Sequence, residues 1–239
     1  MVIIGFGLII LFASVLQTST GFGFSIMATP FLLMIYEPRE AIQINIVLSL
    51  IISAVLFFKI RQDIDLGIVK RFIIGSIPGL PIGIFLFLMA NATRLKLGIS
   101  IVILVLTFLL ILKYRIKKTN RRDYAVGLFS GGLTTAIGMP GPPLLLYFSG
   151  TETNKESLRA TTLAFYLFIY SASLLTQVFF AGTSKVVWTS SLAALPVLFI
   201  GLYIGQRIFA YINQKYFRRI TYVILVFTGL YLLLDSTMN

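Results

Sequence analysis

Long apolar runs, broken by short polar stretches, fill nearly the whole chain. The first run, 2–17, meets a polar, glycine-rich break at 18–23 (TSTGFG), and a second short run follows at 24–36. Three longer runs come next, at 41–58, 66–89 and 97–112. Beyond a basic segment at 113–122 (KYRIKKTNRR) the order recurs: short runs at 124–137 and 142–149, then longer ones at 157–180, 187–206 and 219–234. A spanning helix takes about 20 apolar residues, so the longer runs predict transmembrane helices. The paired short runs fall below that length. They predict a re-entrant helical hairpin, because irregular backbone at membrane depth is tolerated where it lines a cavity or lies inside protein. Two true spans in place of each hairpin fit the same pattern.

The recurrence reaches individual residues. Segments 21–35 and 138–148 both open on glycine and pass through proline (Pro30; Pro140, Pro142, Pro143) into an apolar stretch. Segment 40–45 (EAIQIN) parallels 156–161 (ESLRAT), and Pro78 and Gly83 align with Pro196 and Gly201 at a spacing of 118. The chain therefore divides into a first membrane repeat at 1–112, a basic cytoplasmic linker at 113–122 and a second repeat at 123–239. The expected fold is an all-α integral membrane protein of two repeats, each a re-entrant helical hairpin plus three transmembrane helices. Three spans per half is an odd number, so the second repeat has inverted topology.

Composition sharpens this picture. The chain is 58% hydrophobic and 12% charged, against roughly 25% charged in a soluble domain. The first run lacks a basic leader and is read as part of the membrane region, not as a cleavable signal. The formal charge of +12 would suggest nucleic acid in a soluble protein, but the positions of the charges point elsewhere. With the linker in the cytoplasm, the inside loops hold Lys59, Arg61, Lys70, Arg71, Lys113, Arg115, Lys117, Lys118, Arg121, Arg122, Lys155, Arg159, Arg207, Lys215, Arg218 and Arg219. That leaves Arg39, Arg94, Lys96 and Lys185 outside, so sixteen of the 20 basic residues obey the positive-inside rule. The charge is topological: the partner is a lipid bilayer and not nucleic acid, and a multi-pass place in the inner (plasma) membrane is expected. Monomer and homodimer both remain open.

Two absences prune function. There is no Cys and no His, which removes thiol nucleophiles, disulfides and His-based metal sites. Asp63, Asp65, Asp123 and Asp235 fall in loops or at helix ends, so no pair of buried carboxylates is expected. No GxxxxGK[ST] stretch appears. An enzyme is disfavoured, and no cofactor and no metal is expected.

The candidate chemistry lies in the two breaks. Gly21, Gly23, Gly138 and Gly141 sit at the hairpin tips, where glycine admits positive φ and close approach of backbone to a ligand. Each break ends one helix and starts another, and helix N-termini attract anions. Tips entering from opposite faces can meet near the midplane, where inverted-repeat transporters bind; tight turns in a packed bundle are the plainer alternative. Around the tips, Gln17, Thr20, Asn45, Thr134 and Thr162 offer amides and hydroxyls to complete a substrate shell. Asn45, Ser49 and Ser53 form a polar stripe, as do Thr162, Tyr166, Tyr170, Ser173 and Gln177; such stripes face the interior, as pore lining or as interhelical hydrogen bonds. Gly75, Gly79 and Gly83, echoed by Gly201 and Gly205, read as helix packing, with kinks expected at Pro78, Pro81 and Pro196. Arg159, whose counterpart is Gln43, is either a snorkelling anchor or an anion gate.

The doubled order of these features resembles the TauE/SafE family of anion exporters. The resemblance rests on the two half-repeats, the Gly/Pro-rich stretches 21–30 and 131–143, and the EAIQIN and ESLRATT segments that follow, and it covers nearly the whole chain. It implies transport of sulfite or small organosulfonates, with the tip glycines and prolines and the Arg159-Ala160-Thr161-Thr162 run as the residues touched. Phe22 and Phe24 interrupt the first tip and prolines crowd the second, unlike the glycine-dense tips usual in the family. The expected function is a secondary transporter of a small inorganic or organic anion, sulfite or an organosulfonate, working by alternating access. An anion channel and a non-transporting membrane assembly factor are the alternatives.

Overall fold

The start of each helix is written in local chemistry. A computed structural model describes residues 2–112, 119–149, 151, 153–209 and 211, with isolated positions 226, 230, 233 and 234. The rest of the expected span 219–234 lies outside the described residues, as do 113–118 and Lys215, Arg218 and Arg219. The helices are α1 (Val2–Thr20), α2 (Phe24–Leu32), α3 (Pro38–Ile60), α4 (Leu66–Ser76), α5 (Gly79–Met89), α6 (Ala92–Ile111), α7 (Asn120–Ile137), α8 (Gly141–Ser149), α9 (Lys155–Ala181) and α10 (Lys185–Phe209). No strand occurs among the described residues. Pro38 opens α3 at a position where its missing N–H is not needed. Side chains cap the next starts: Asp65 accepts from the Ile68 N–H at 3.0 Å, and Asn154 from the Ser157 N–H at 2.7 Å.

Among the described residues, three helices are long and apolar enough to cross a membrane: α3 with the 3₁₀ turn Arg61–Asp63 that follows it, α9 and α10. The run at 66–89, expected as one span, is two helices, α4 and α5, bent by 48° at Ile77 and Pro78. The pair amounts to a fourth crossing if taken as one span. Pro196, in contrast, lies inside the continuous helix α10. The first helix of each half is longer than its apolar run. α1 has 19 residues and α7 has 18, about 27–28 Å at 1.5 Å per residue. Their companions α2 and α8 have 9 residues each, about 14 Å.

Burial is inverted relative to a water-soluble domain. Phe58, Phe85, Leu175, Phe179 and Leu192 stand on the surface, whereas Gln17, Asn45, Ser49, Ser53, Ser173 and Gln177 are fully buried. Apolar outside and polar inside is what a hydrocarbon surround selects.

Packing crosses between the halves. α7 lies along α4 and α5, and α1 lies along α10, with α3 against α9 between them. Glycines make both of the first two seams. A methyl group at Gly79 would strike the Leu128 carbonyl, and one at Gly83 would lie 2.5 Å from the Gly132 carbonyl and 2.6 Å from Thr135 Cβ. On the other seam, Gly201 faces the Leu11 carbonyl at 2.8 Å, and Gly205 faces the Val15 carbonyl at 2.8 Å and Thr18 Cβ at 2.7 Å. Backbone-to-backbone approach of this kind is how small residues join helices in lipid.

Candidate functional site

The two breaks are real but shorter than their sequences suggested. Thr18, Ser19 and Thr20 belong to α1, so the first break is only Gly21-Phe22-Gly23. The second is Gly138-Met139-Pro140. Gly21 (φ 82°) and Gly138 (φ 71°) adopt the left-handed backbone that ends a helix. Each is glycine for a second reason as well. A Cβ on Gly21 would come within 2.9 Å of Arg159 Cα, and one on Gly138 within 2.8 Å of Asn45 Nδ2. The close approach expected of a ligand is therefore made by the protein itself at these two positions. Gly23 likewise abuts the Leu16 side chain.

The new helices start close to one another. The position of a Cβ on Gly141, the first residue of α8, is 2.9 Å from the Tyr166 hydroxyl and 3.3 Å from Ile26 Cδ1 in the first turn of α2. Beside Ile26, Ser25 has its hydroxyl next to that of Tyr170, and Ser49 of α3 approaches the same phenol. Tyr166 and Tyr170 are one turn apart on α9, with ring centroids 5.1 Å apart and edge-to-face. The polar stripe read from sequence on α9 thus delivers one tyrosine hydroxyl to the start of α8 and one to the start of α2.

Four hydroxyls here, of Ser25, Ser49, Tyr166 and Tyr170, are buried, and beyond one another they have no hydrogen-bond partner in the protein. Leaving one such group unsatisfied costs roughly 1–3 kcal/mol. A concentration of them is what a site for a polar guest requires. Amides surround it. Gln17 donates through Nε2 to the Ser49 carbonyl at 3.1 Å and to Ser53 Oγ at 3.3 Å. Asn45 Nδ2 donates to the Gly138 carbonyl at 2.8 Å, closing the end of α7, and Gln177 Nε2 donates to the Thr135 carbonyl at 2.8 Å. The amide oxygens of all three are buried and unpartnered.

Other expected ligands are placed differently. The Thr20 hydroxyl is held within the first break, donating toward the Leu16 and Phe22 carbonyls. The Thr134 hydroxyl donates back to the Ser130 carbonyl. A hydroxyl has a single proton, so neither is free to donate to an anion. Thr162 is buried with its hydroxyl unpartnered. Arg159 backs onto Gly21, with its guanidinium 4.3 Å from the centre of the Phe209 ring at the end of α10. It has no carboxylate partner among the described residues, and its Nε is unsatisfied.

Two features had no counterpart in the sequence reading. Asp123 does sit at a helix end, yet it is fully buried and pairs with Arg71 Nε at 2.6 Å. Beside this pair, Phe22, Phe72, Tyr147, Phe148 and Phe165 form a cluster with adjacent centroids 5.1–6.3 Å apart. No group of three acidic, Cys or His side chains able to hold a metal occurs among the described residues. What the site offers is hydrogen-bond donors and two helix N-termini, which suits holding a polar guest.

No curated protein and no solved structure matches the chain. The family model described as Sulfite exporter TauE/SafE matches residues 6–232, almost end to end. With its apolar exterior and buried polar centre, this chain belongs to the TauE/SafE family of membrane transporters.

Proposed function

We propose that the protein is a secondary transporter that carries a small anion, sulfite or an organosulfonate, across the plasma membrane by alternating access. One observation carries this reading. The N-termini of α2 and α8 converge on Tyr166 and Tyr170, where buried hydroxyls have no partner beyond one another. Helix N-termini facing such donors form a ready anion site. The revised shell is Ser25, Ser49, Gly141, Tyr166 and Tyr170, backed by Gln17, Asn45 and Thr162.

The glycine seams support two inverted repeats. With α1 laid on α7 at the spacing of Gly21 to Gly138, the Gly201 contact on Leu11 corresponds to the Gly79 contact on Leu128. Likewise the Gly205 contacts on Val15 and Thr18 correspond to the Gly83 contacts on Gly132 and Thr135. These matches set the spacing of the packing helices at 122, in place of 118. In this reading the aromatic cluster and the Arg71–Asp123 pair lie toward the cytoplasmic end and would close the site to that face. Enclosure favours a carrier over a channel.

Uptake of labelled sulfite and methanesulfonate into proteoliposomes of the purified chain tests the reading. Saturable, slow flux supports it. A selective current that does not saturate replaces it with a channel, and no flux of any oxyanion leaves an assembly role.

A further inference from the structure

The site between α2, α8 and α9 contains no formal charge. Among the described residues, Asp123 and Arg159 are the only buried charged side chains. Asp123 is neutralised by Arg71 and lies fifteen residues before Gly138 on α7, about 22 Å away along the helix. Arg159 lies seven residues before Tyr166 on α9, about 10 Å, and its guanidinium is spent on the Phe209 ring. Positive potential at the site then comes from backbone alone. A helix N-terminus acts as about half a unit charge, so two supply at most about one; α8 opens Gly141-Pro142-Pro143, and its two prolines have no N–H to donate.

The side chains add donors without adding charge. The Tyr170 hydroxyl stands beside Ser25 in the first turn of α2, and the Tyr166 hydroxyl beside Gly141 at the start of α8. Both phenols are fully buried; Tyr166 makes no hydrogen bond, and Tyr170 has only the Ser25 and Ser49 hydroxyls beside it. A three-oxygen headgroup between them can accept from both at once.

We propose that this site selects singly charged oxyanions, with Tyr166 and Tyr170 as the paired donors that grip the headgroup, one at each helix start. The proposal rests on reading the site as an anion site. A second negative charge on the guest would be left without compensation in a buried, lipid-enclosed centre, where an unpaired charge is strongly disfavoured. Bulk on the far side of the headgroup matters less than its charge.

The experiment is calorimetric binding to the purified full-length chain. Methyl sulfate and sulfate share a tetrahedral sulfur and differ by one charge and one methyl group. Methyl sulfate should bind at least about tenfold more tightly, the least that an uncompensated buried charge implies. Methylphosphonate gains its second charge near neutral pH, so its affinity should fall as pH rises through that ionisation, while that of methanesulfonate stays level. Tyr166→Phe and Tyr170→Phe keep the ring pair and remove one donor each. Each should weaken methanesulfonate by about ten- to a hundredfold, the range for a hydrogen bond to a charged group, with the melting temperature unchanged. Ser25→Ala, a smaller change at the start of α2, is read in the same way if either ring variant fails to fold. Sulfate binding as tightly as methyl sulfate would overturn the charge selection and leave the anion site standing. Full affinity in both Phe variants would overturn the role of the tyrosines. Failure of all four probes to bind would remove the anion site itself.

Discussion

Gly83 and Gly205 are the most informative pair to substitute, because the proposed inverted repeat makes them equivalents. In Gly83→Ala the new methyl would sit 2.5 Å from the Gly132 carbonyl and 2.6 Å from Thr135 Cβ, with the Ala136 nitrogen at 3.2 Å. In Gly205→Ala the nearest atoms are Thr18 Cβ at 2.7 Å, the Val15 carbonyl at 2.8 Å and Thr18 Cγ2 at 3.1 Å. Three of these six neighbours are backbone and two more are Cβ atoms fixed to it, so side-chain rotation does not relieve the clash and the helices must separate. Overpacking of this kind costs about 1–3 kcal/mol. For a chain of this size 1 kcal/mol moves the melting temperature by about 2–4 °C, which gives a fall of about 2–12 °C. Gly83→Ala should lie at the upper end and Gly205→Ala below it. Gly98→Ala is the control, since nothing lies within 4 Å of its new methyl, and alanine is the better helix former. Thermal stability of the three proteins in detergent, followed by monodisperse elution after heating, reads the difference. Equal melting of all three would refute the argument that glycine seams join the halves, and a fall in Gly83→Ala alone would refute their equivalence.

Arg71→Met strands the buried Asp123 carboxylate and should lower thermal stability more than the double variant Arg71→Met, Asp123→Asn, because an uncompensated buried charge is worse than none; the melting curves of the two check this. Arg159→Lys should leave methanesulfonate affinity within about threefold, as an anchor ten ångströms or so from the headgroup implies, whereas Arg159→Gln should slow uptake with affinity unchanged; a collapse of affinity in either variant would place Arg159 in the site. The chain has no cysteine, so topology is open to single-cysteine labelling at the exposed positions Gln62 and Thr183. An impermeant reagent applied to intact cells should react at position 183 and not at 62, and the reverse pattern would invert the orientation.

The helical membrane fold was legible because apolar length and loop charge are properties of the sequence alone. Boundaries were less so. Thr18, Ser19 and Thr20 look like the start of a loop, yet α1 absorbs them, since polar groups buried among helices find partners there: Ser19 and Thr20 both donate to the Leu16 carbonyl. The bend between α4 and α5 falls at Pro78, as the kink rule allows, but Pro196 inside α10 shows that proline alone does not decide it. The breaks lie where the sequence placed them, but their glycines serve packing as well as any guest. A glycine needed by a ligand and one needed by a neighbouring helix look the same in sequence, and Gly21 and Gly138 turned out to face Arg159 and Asn45. Tyr166 and Tyr170 stood in a recognised stripe, but only the placement of α2 and α8 shows which of its members meet the helix starts. Asp123 was invisible as a buried group because its partner, Arg71, lies 52 positions earlier.

In the proposed binding mode a small oxyanion rests between the starts of α2 and α8. A crystal structure of the protein soaked in selenite, with the ion located by its anomalous scattering, tests this. The selenium peak should lie within hydrogen-bonding reach of Ser25, Tyr166 and Tyr170 and near the backbone of Gly141. A peak beside Arg159 and Phe209, with none between the two short helices, would contradict it.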